Sequence, residues 1–327
     1  MPRVVVFDEF GGPEVLHIVD EPVVEPAAGE VRVRVEASAV NPLDAMIRAG
    51  TSPAPVPLPH ARLGVEATGV IDAVGDGVSA VGAGDPVIIT AIPDSWVRGS
   101  HADYTTVPAS TVVPRPAGLD VAEAAASWVG FSTAYGALVE EGRLRRGQRV
   151  LISGASGAVG RAAIQIAGEL GAVPIAITRR SAKAGELRAA GAAEVIATDR
   201  DEIADAVRRL TDGAGVDLVL DLVRGPGQGE LVAATRPGGK VVAAGFLDPR
   251  PAPDSADGSV EVVDYYGFGR LSDPAVVARM AASLNAGVSR GKLRPAIDTV
   301  VPLDDIVAAH RRFEAGAHGG RKIVVMH

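Results

Sequence analysis

Val31, Val33 and Val35 alternate with Arg32, Arg34 and Glu36. That period of two predicts a strand with one buried face and one wet face. The same reading gives strands over Arg3–Phe7, Ala67–Val74, Pro86–Ala91 and Tyr104–Val107. Turn formers separate them: Gly11-Gly12-Pro13, Pro26-Ala27-Ala28-Gly29, Gly75-Asp76-Gly77 and Gly82-Ala83-Gly84-Asp85. Thr51–Pro59 has proline at 53, 55, 57 and 59 and reads as an extended loop, either a cleft wall or a plain connection. The first third of the chain is thus expected to be a β domain.

From about Val121 the texture changes. Strands are expected at Arg149–Ser153, Pro174–Thr178, Glu194–Ala197, Asp217–Asp221 and Lys240–Gly245, with helical stretches between them. The clearest helix is Ala158–Leu170, where Val159, Ala162, Ala163, Ile166, Ala167 and Leu170 form one apolar stripe. A β-α-β-α series predicts an α/β domain with a parallel, doubly wound sheet and right-handed crossovers. Helices over Pro274–Ala286 and Leu303–Ala315 and a strand over Lys322–Met326 close the chain. Its 327 residues suit about two domains.

Composition narrows the chemistry. With no cysteine, disulfides, thiolate zinc sites, iron–sulfur clusters and a cysteine nucleophile are excluded. A net charge of −8 argues against nucleic acid as partner. Ala124–Val139, the longest charge-free stretch with helical character, has 16 residues, short of the roughly 20 that span a bilayer. Met1–Glu9 lacks a basic head and apolar core, so no leader and no membrane are expected, and a cytoplasmic site is.

The strongest chemical signal is Val150-Leu151-Ile152-Ser153-Gly154-Ala155-Ser156-Gly157-Ala158-Val159-Gly160. A short apolar strand enters a glycine turn and then the amphipathic helix, as in dinucleotide binders, with alanine at the first fingerprint position. Gly157 would let backbone approach a pyrophosphate, and Gly160 would let helix and strand pack closely; a small-residue turn needed only for packing is the plainer alternative. Binders of NAD usually place a carboxylate at the end of the second strand. Here Ile175-Ala176-Ile177-Thr178 runs on into Arg179-Arg180-Ser181-Ala182-Lys183, with no acid before Glu186. Cations and hydroxyls suit a 2′-phosphate, which points to NADPH.

Further motifs stand in a specific order: Phe10-Gly11-Gly12-Pro13-Glu14-Val15-Leu16, Val40-Asn41-Pro42-Leu43-Asp44, Gly64-Val65-Glu66-Ala67-Thr68-Gly69-Val70-Ile71, Val74-Gly75-Asp76-Gly77-Val78, Ser132-Thr133-Ala134-Tyr135-Gly136-Ala137-Leu138, Gly238-Gly239-Lys240-Val241-Val242 and Arg321-Lys322-Ile323-Val324-Val325. Together they resemble the medium-chain dehydrogenase/reductase superfamily, in its zinc-free quinone oxidoreductase (zeta-crystallin-like) branch. The resemblance implies a GroES-like β-barrel catalytic domain, residues 1–120 and 269–327, with a Rossmann domain inserted at 121–268. It implies NADPH-dependent reduction of a quinone, enone or enoyl thioester by a homodimer, with Val260–Tyr266 resembling the dimer-edge strand.

Carried over by motif, Asn41 and Thr133 would contact nicotinamide, with Gly245 and Phe246 as backbone neighbours of the same ring. Ser156, Gly157, Ala158 and Val159 would hold the pyrophosphate. Thr178, Arg179, Arg180, Ser181 and Lys183 would face the 2′-phosphate. Asn41, Asp44 and Thr133 are the catalytic candidates, although Asp44 equally suits holding a turn; Met46 and Tyr135 are the pocket candidates.

Two departures from the family matter. Where its zinc enzymes carry cysteine and a His-Glu pair, this chain has Asn41-Pro42-Leu43 and Val65-Glu66, so no metal is expected. His60 and His101 are near that region but read as loop or cleft-wall residues. Where the quinone reductase motif continues Thr-Tyr, this chain has Ala45-Met46, which suggests a more apolar pocket. Loss of that tyrosine keeps open a catalytically weak NADPH-binding protein with a structural or regulatory role.

Overall fold

The computed structural model describes residues 1–52, 54–90, 92, 94–253, 258–270 and 273–327. Pro53 of the proline-rich loop and Ala91 at the end of one expected strand lie outside them. The chain divides into two compact units, Met1–Val129 with Val277–His327, and Gly130–Val276.

The first unit opens with strands β1 (Arg3–Phe7), β2 (His17–Asp20), β3 (Glu30–Ala39), β4 (Ala61–Arg62), β5 (Ala67–Val74), β6 (Pro86–Ile89), β7 (Tyr104–Pro108) and β8 (Val112–Pro114). β3 realises the expected alternation. Val31, Val33 and Val35 are buried in an apolar core with Ile71, Val87 and Val107. On its other face the Arg32 guanidinium meets Asp72 at 2.6 Å and Glu25 at 2.8 Å. β2, β4 and β8 carry no clean alternation; their pairing with β1 and β6 makes them strands. A helix not foreseen in the sequence, Pro42–Ala49, follows Asn41, with proline at its first turn.

The second unit holds β9 (Arg149–Ile152), β10 (Val173–Thr178), β11 (Glu194–Ala197), β12 (Val216–Asp221), β13 (Thr235–Ala243) and β14 (Glu261–Asp264). They form one sheet in the order β11-β10-β9-β12-β13-β14, every pair parallel. This is the doubly wound arrangement, with the strand order reversing at β9 and β12. The central strands β9, β10 and β12 are buried on both faces along most of their length; Leu151, Ile175, Ile196, Val219 and Val241 share one core. β13 starts five residues earlier than the sequence suggested and ends at Ala243, which leaves Gly245 in the following loop.

The chain then returns to the first unit with the helix Pro274–Ser289 and the strands β15 (Ile297–Pro302) and β16 (Lys322–Met326). β16 lies between β15 and β3, antiparallel to β3, so the order there is β15-β16-β3-β5-β6-β8 with β7 also on β3.

Candidate cofactor and active site

Because β9–β14 are all parallel, the loops after their carboxyl ends gather at one edge of the sheet, where open α/β sheets bind ligands. The turn after β9 is built of small residues for distinct reasons. Gly154 has φ +57°, and the Gly157 N–H donates to its carbonyl at 2.9 Å. A side chain at Gly160 would put Cβ 2.5 Å from Ala155 Cα and 2.6 Å from the Gly154 oxygen, so helix and turn touch backbone to backbone. At Gly157 a Cβ would meet only the Gly154 oxygen, at 3.3 Å, and its φ of −73° suits any residue. The helix Ala158–Glu169 makes its first backbone bond from Arg161 N–H to the Gly157 carbonyl at 2.9 Å. The N–H groups of Ala158, Val159 and Gly160 therefore have no backbone partner among the described residues. Open N–H groups behind an uncrowded glycine are what a pyrophosphate requires.

Arg161, 8% exposed, braces this turn: its Nε donates to the Ser156 carbonyl at 3.0 Å and its Nη2 to Glu186 at 2.9 Å. Thr178 ends β10 buried, and its hydroxyl accepts from the Arg180 N–H at 3.3 Å. Arg179 and Arg180 are exposed, and Ser181 and Lys183 half-buried. The Ser181 N–H and hydroxyl both donate to Asp199, an acid just past β11 that sequence reading along β10 alone did not reach.

At the reversal of strand order, Asp221 ends β12 at 1% exposure. Its carboxylate accepts from the Ser153 hydroxyl at 2.8 Å, the Val223 and Arg224 N–H groups at 3.0 Å each, and Gln228 Nε2 at 3.1 Å. One carboxylate thus fixes the loops after β9 and β12; an acid closing an apolar strand was the only sequence signal for it. Gly245 packs on the same loop, where a Cβ would fall 1.8 Å from the Leu222 oxygen. Phe246 follows it with 52% exposure. The helix Trp128–Tyr135 carries Thr133 and Tyr135, both half-buried, and its Gly130 backs onto Ala158 with room for only a 3.4 Å Cβ contact. Tyr265, which sequence reading had not singled out as a site residue, lies just after β14. Burial pushes its phenol up to about 12, and its hydroxyl has no hydrogen-bond partner among the described residues.

Asn41, Asp44 and Met46 belong to the first unit. Asn41 is 2% exposed, and its amide is fully engaged. Nδ2 donates to the Ala39 carbonyl at 3.0 Å and to Glu66 Oε1 at 3.1 Å, while Oδ1 accepts from Lys322 Nζ at 2.6 Å. Lys322 Nζ also bonds Glu66, whose Oε2 accepts from the Val129 N–H at 2.7 Å. Asp44, 0% exposed, accepts from the Asn41 N–H at 2.8 Å and the Gly64 N–H at 3.0 Å. Burial raises its carboxyl to about 7, against those two N–H groups and Lys322. These contacts give Asp44 a turn-holding part. Met46 is half-buried on the helix Pro42–Ala49. Glu66 and Lys322 stood in the quoted motifs without an assigned role.

His60 is exposed and pairs with Glu21 at 2.6 Å. His101 is fully buried, its Nδ1 2.8 Å from the Ser38 hydroxyl, which also meets His327 Nε2 at 2.9 Å. The His310 ring stands edge-on to His101, centroids 6.0 Å apart. Burial drives His101 well below the usual imidazole range, His310 to about 3 and His327 to about 4. Among the described residues no three His, Asp or Glu side chains gather as a metal site needs.

Residues 27–117 match the alcohol dehydrogenase GroES-like domain and residues 190–325 the zinc-binding dehydrogenase family. Quinone oxidoreductase of Lama guanicoe is 31% identical over 330 residues, covering 99% of this chain and 97% of its own. Quinone oxidoreductase of Escherichia coli, solved in complex with NADPH, superposes with a TM-score of 0.88 at 25% identity, over 99% of this chain and all of its own. A cyclopropanase, the CurF ER of curacin A biosynthesis, gives a TM-score of 0.86 at 27% identity over 99% of both chains. The chain belongs to the medium-chain dehydrogenase/reductase superfamily, within its quinone oxidoreductase branch, and is an oxidoreductase. For the zinc named in the second match, the described residues offer no fitting donor set: the chain has no cysteine, no three His, Asp or Glu side chains gather among those residues, and Asn41 is held by Glu66 and Lys322.

Proposed function

We propose that this protein uses NADPH, without zinc, to reduce a quinone or a carbon–carbon double bond conjugated to a carbonyl. The carrying observation is the carboxyl edge of the parallel sheet: an uncrowded Gly157, open N–H groups at Ala158–Gly160, and the basic segment after β10. Bound NADPH supplies a hydride. The chain's own part is to bind and orient. Ser156–Val159 take the pyrophosphate, and Arg179, Arg180 and Lys183 favour the 2′-phosphate. Asp221 fixes the loops that, with Gly245, Phe246 and Thr133, border the ring. Asp44 accepts from the Asn41 and Gly64 N–H groups and so holds the turn that carries Asn41. Tyr135 supplies a pocket wall on the cofactor side. The unit Gly130–Val276 is the cofactor domain and the other the catalytic domain.

The relatives' names support this reading, one being a quinone oxidoreductase solved with NADPH. Homodimerisation is proposed through β14, which closes one end of its sheet. A cytoplasmic setting follows from the supply of reduced nicotinamide. A second reading, a weakly catalytic NADPH-binding protein, is favoured by the interior commitment of Asn41 and Asp44 and by Met46 in place of the motif tyrosine. NADPH consumption against a panel of quinones, enones and enoyl thioesters decides. Turnover with any class supports the enzyme; tight NADPH binding with no turnover on the whole panel supports the second reading.

A further inference from the structure

Ser181 is the first residue of the short helical turn after β10, among the residues assigned to the 2′-phosphate. Its N–H donates to both Asp199 oxygens, at 3.1 and 2.9 Å, and its hydroxyl donates to Oδ2 at 3.0 Å. The backbone delivers this acid. β10 and β11 pair in register up to Thr178 opposite Ala197, and one further bond, Thr198 N–H to the Thr178 carbonyl at 2.9 Å, carries the ladder on. Asp199 is the next residue, so it lies beside the end of β10 by strand register. The Ser181 bonds hold its carboxyl below the usual range, with Arg200 helping. An internal anion therefore occupies two donors that a phosphate would use.

We propose that Asp199 sets cofactor selectivity: by holding Ser181 and placing a negative charge on a residue assigned to the 2′-phosphate, it lowers the preference for NADPH over NADH. This rests on the cofactor reading above. A phosphate monoester carries about −1.5 to −2 near neutrality, whereas a ribose 2′-hydroxyl is neutral and donates to a carboxylate. One carboxylate thus opposes the first ligand and favours the second. Across solvent at ordinary salt, one such charge changes affinity by about three- to tenfold.

The test titrates NADPH and NADH into full-length wild type, Asp199→Asn and Asp199→Glu, followed by nicotinamide fluorescence and by the thermal shift each cofactor gives. Asp199→Asn keeps an acceptor for Ser181 and drops the charge, and should tighten NADPH by about three- to tenfold while NADH stays level or weakens. The gain should shrink between about 0.05 and 0.5 M salt, which a purely structural part for Asp199 would not produce. Asp199→Glu should keep the wild-type ratio. Asp199→Ser removes the charge with a smaller side chain and gives an independent reading if the asparagine variant folds poorly. An unchanged NADPH-to-NADH ratio in the neutral variants, or parallel weakening of both cofactors, overturns the inference while leaving NADPH binding intact. A wild type that binds neither cofactor removes the function reading itself.

Discussion

Replacing Lys322 with methionine keeps the aliphatic stem and deletes the ammonium. The wild-type side chain is 5% exposed and Glu66 0%, so water cannot take over the lost contact. Glu66 would keep Asn41 Nδ2 at 3.1 Å and the Val129 N–H at 2.7 Å but lose the cation bonded to it. Asn41 Oδ1 would lose its donor at 2.6 Å. Breaking a buried ion pair from one side costs about 3–5 kcal/mol, because a buried charge is left behind. The methionine's apolar burial offsets about 1 kcal/mol of that. A net loss of about 3 kcal/mol is expected, or roughly 4–5 °C in Tm for a chain of 327 residues. Urea unfolding of the full chain measures it. Lys322→Met with Glu66→Gln should recover about 2 kcal/mol relative to additivity, since no charge remains unpaired. A single-variant loss below about 1 kcal/mol, or strict additivity, would refute the view that this cluster is held together by charge.

Three further outcomes are expected. Gly160→Ala should cost about 1–3 kcal/mol, since its Cβ meets only backbone, whereas Gly157→Ala should fold normally and weaken NADPH at least about tenfold; equal stability losses would count against the division of labour. Acid should destabilise the protein. His101, His310 and His327 have depressed values when folded, so the unfolded chain gains protons first as pH falls below about 6.5, costing up to about 1.4 kcal/mol per pH unit for each histidine. Asp44, raised to about 7, works the other way between about pH 4 and 7, so the net drop reflects three groups against one; urea midpoints that do not fall from pH 7 to pH 5 would contradict this. Alanine at both Arg179 and Lys183 should weaken NADPH by about ten- to a hundredfold and leave NADH nearly unchanged, as read by titration; similar losses for the two cofactors would remove these residues from the 2′-phosphate site.

What was legible in the sequence follows from the range of the forces involved. β3 and the glycine turn announce themselves because their residues meet neighbours within one strand or one helical turn. β2, β4, β8 and β15 do not, since partner strands rather than their own pattern make them extended. The basic run after β10 was readable, but Asp199, 18 residues beyond Ser181, reaches it only through parallel register. Asn41 stood out as a motif residue; its engagement with Glu66 and Lys322 depends on a partner at the far end of the chain.

The placement of β16 beside β3 also sets an order of events on the ribosome. Glu66 emerges 256 residues ahead of Lys322, which at about 5–20 residues per second is a delay of roughly 10–50 s. Gly130–Val276 is continuous and owns a complete sheet, so it is free to finish first. The earlier 129 residues meanwhile wait with the Ala37–Ala39 edge of β3 unzipped and a carboxylate lacking its ammonium. The nascent first unit is thus the part of this chain most exposed to chaperones and to misassembly, and arrival of the final strand both closes its sheet and neutralises its interior.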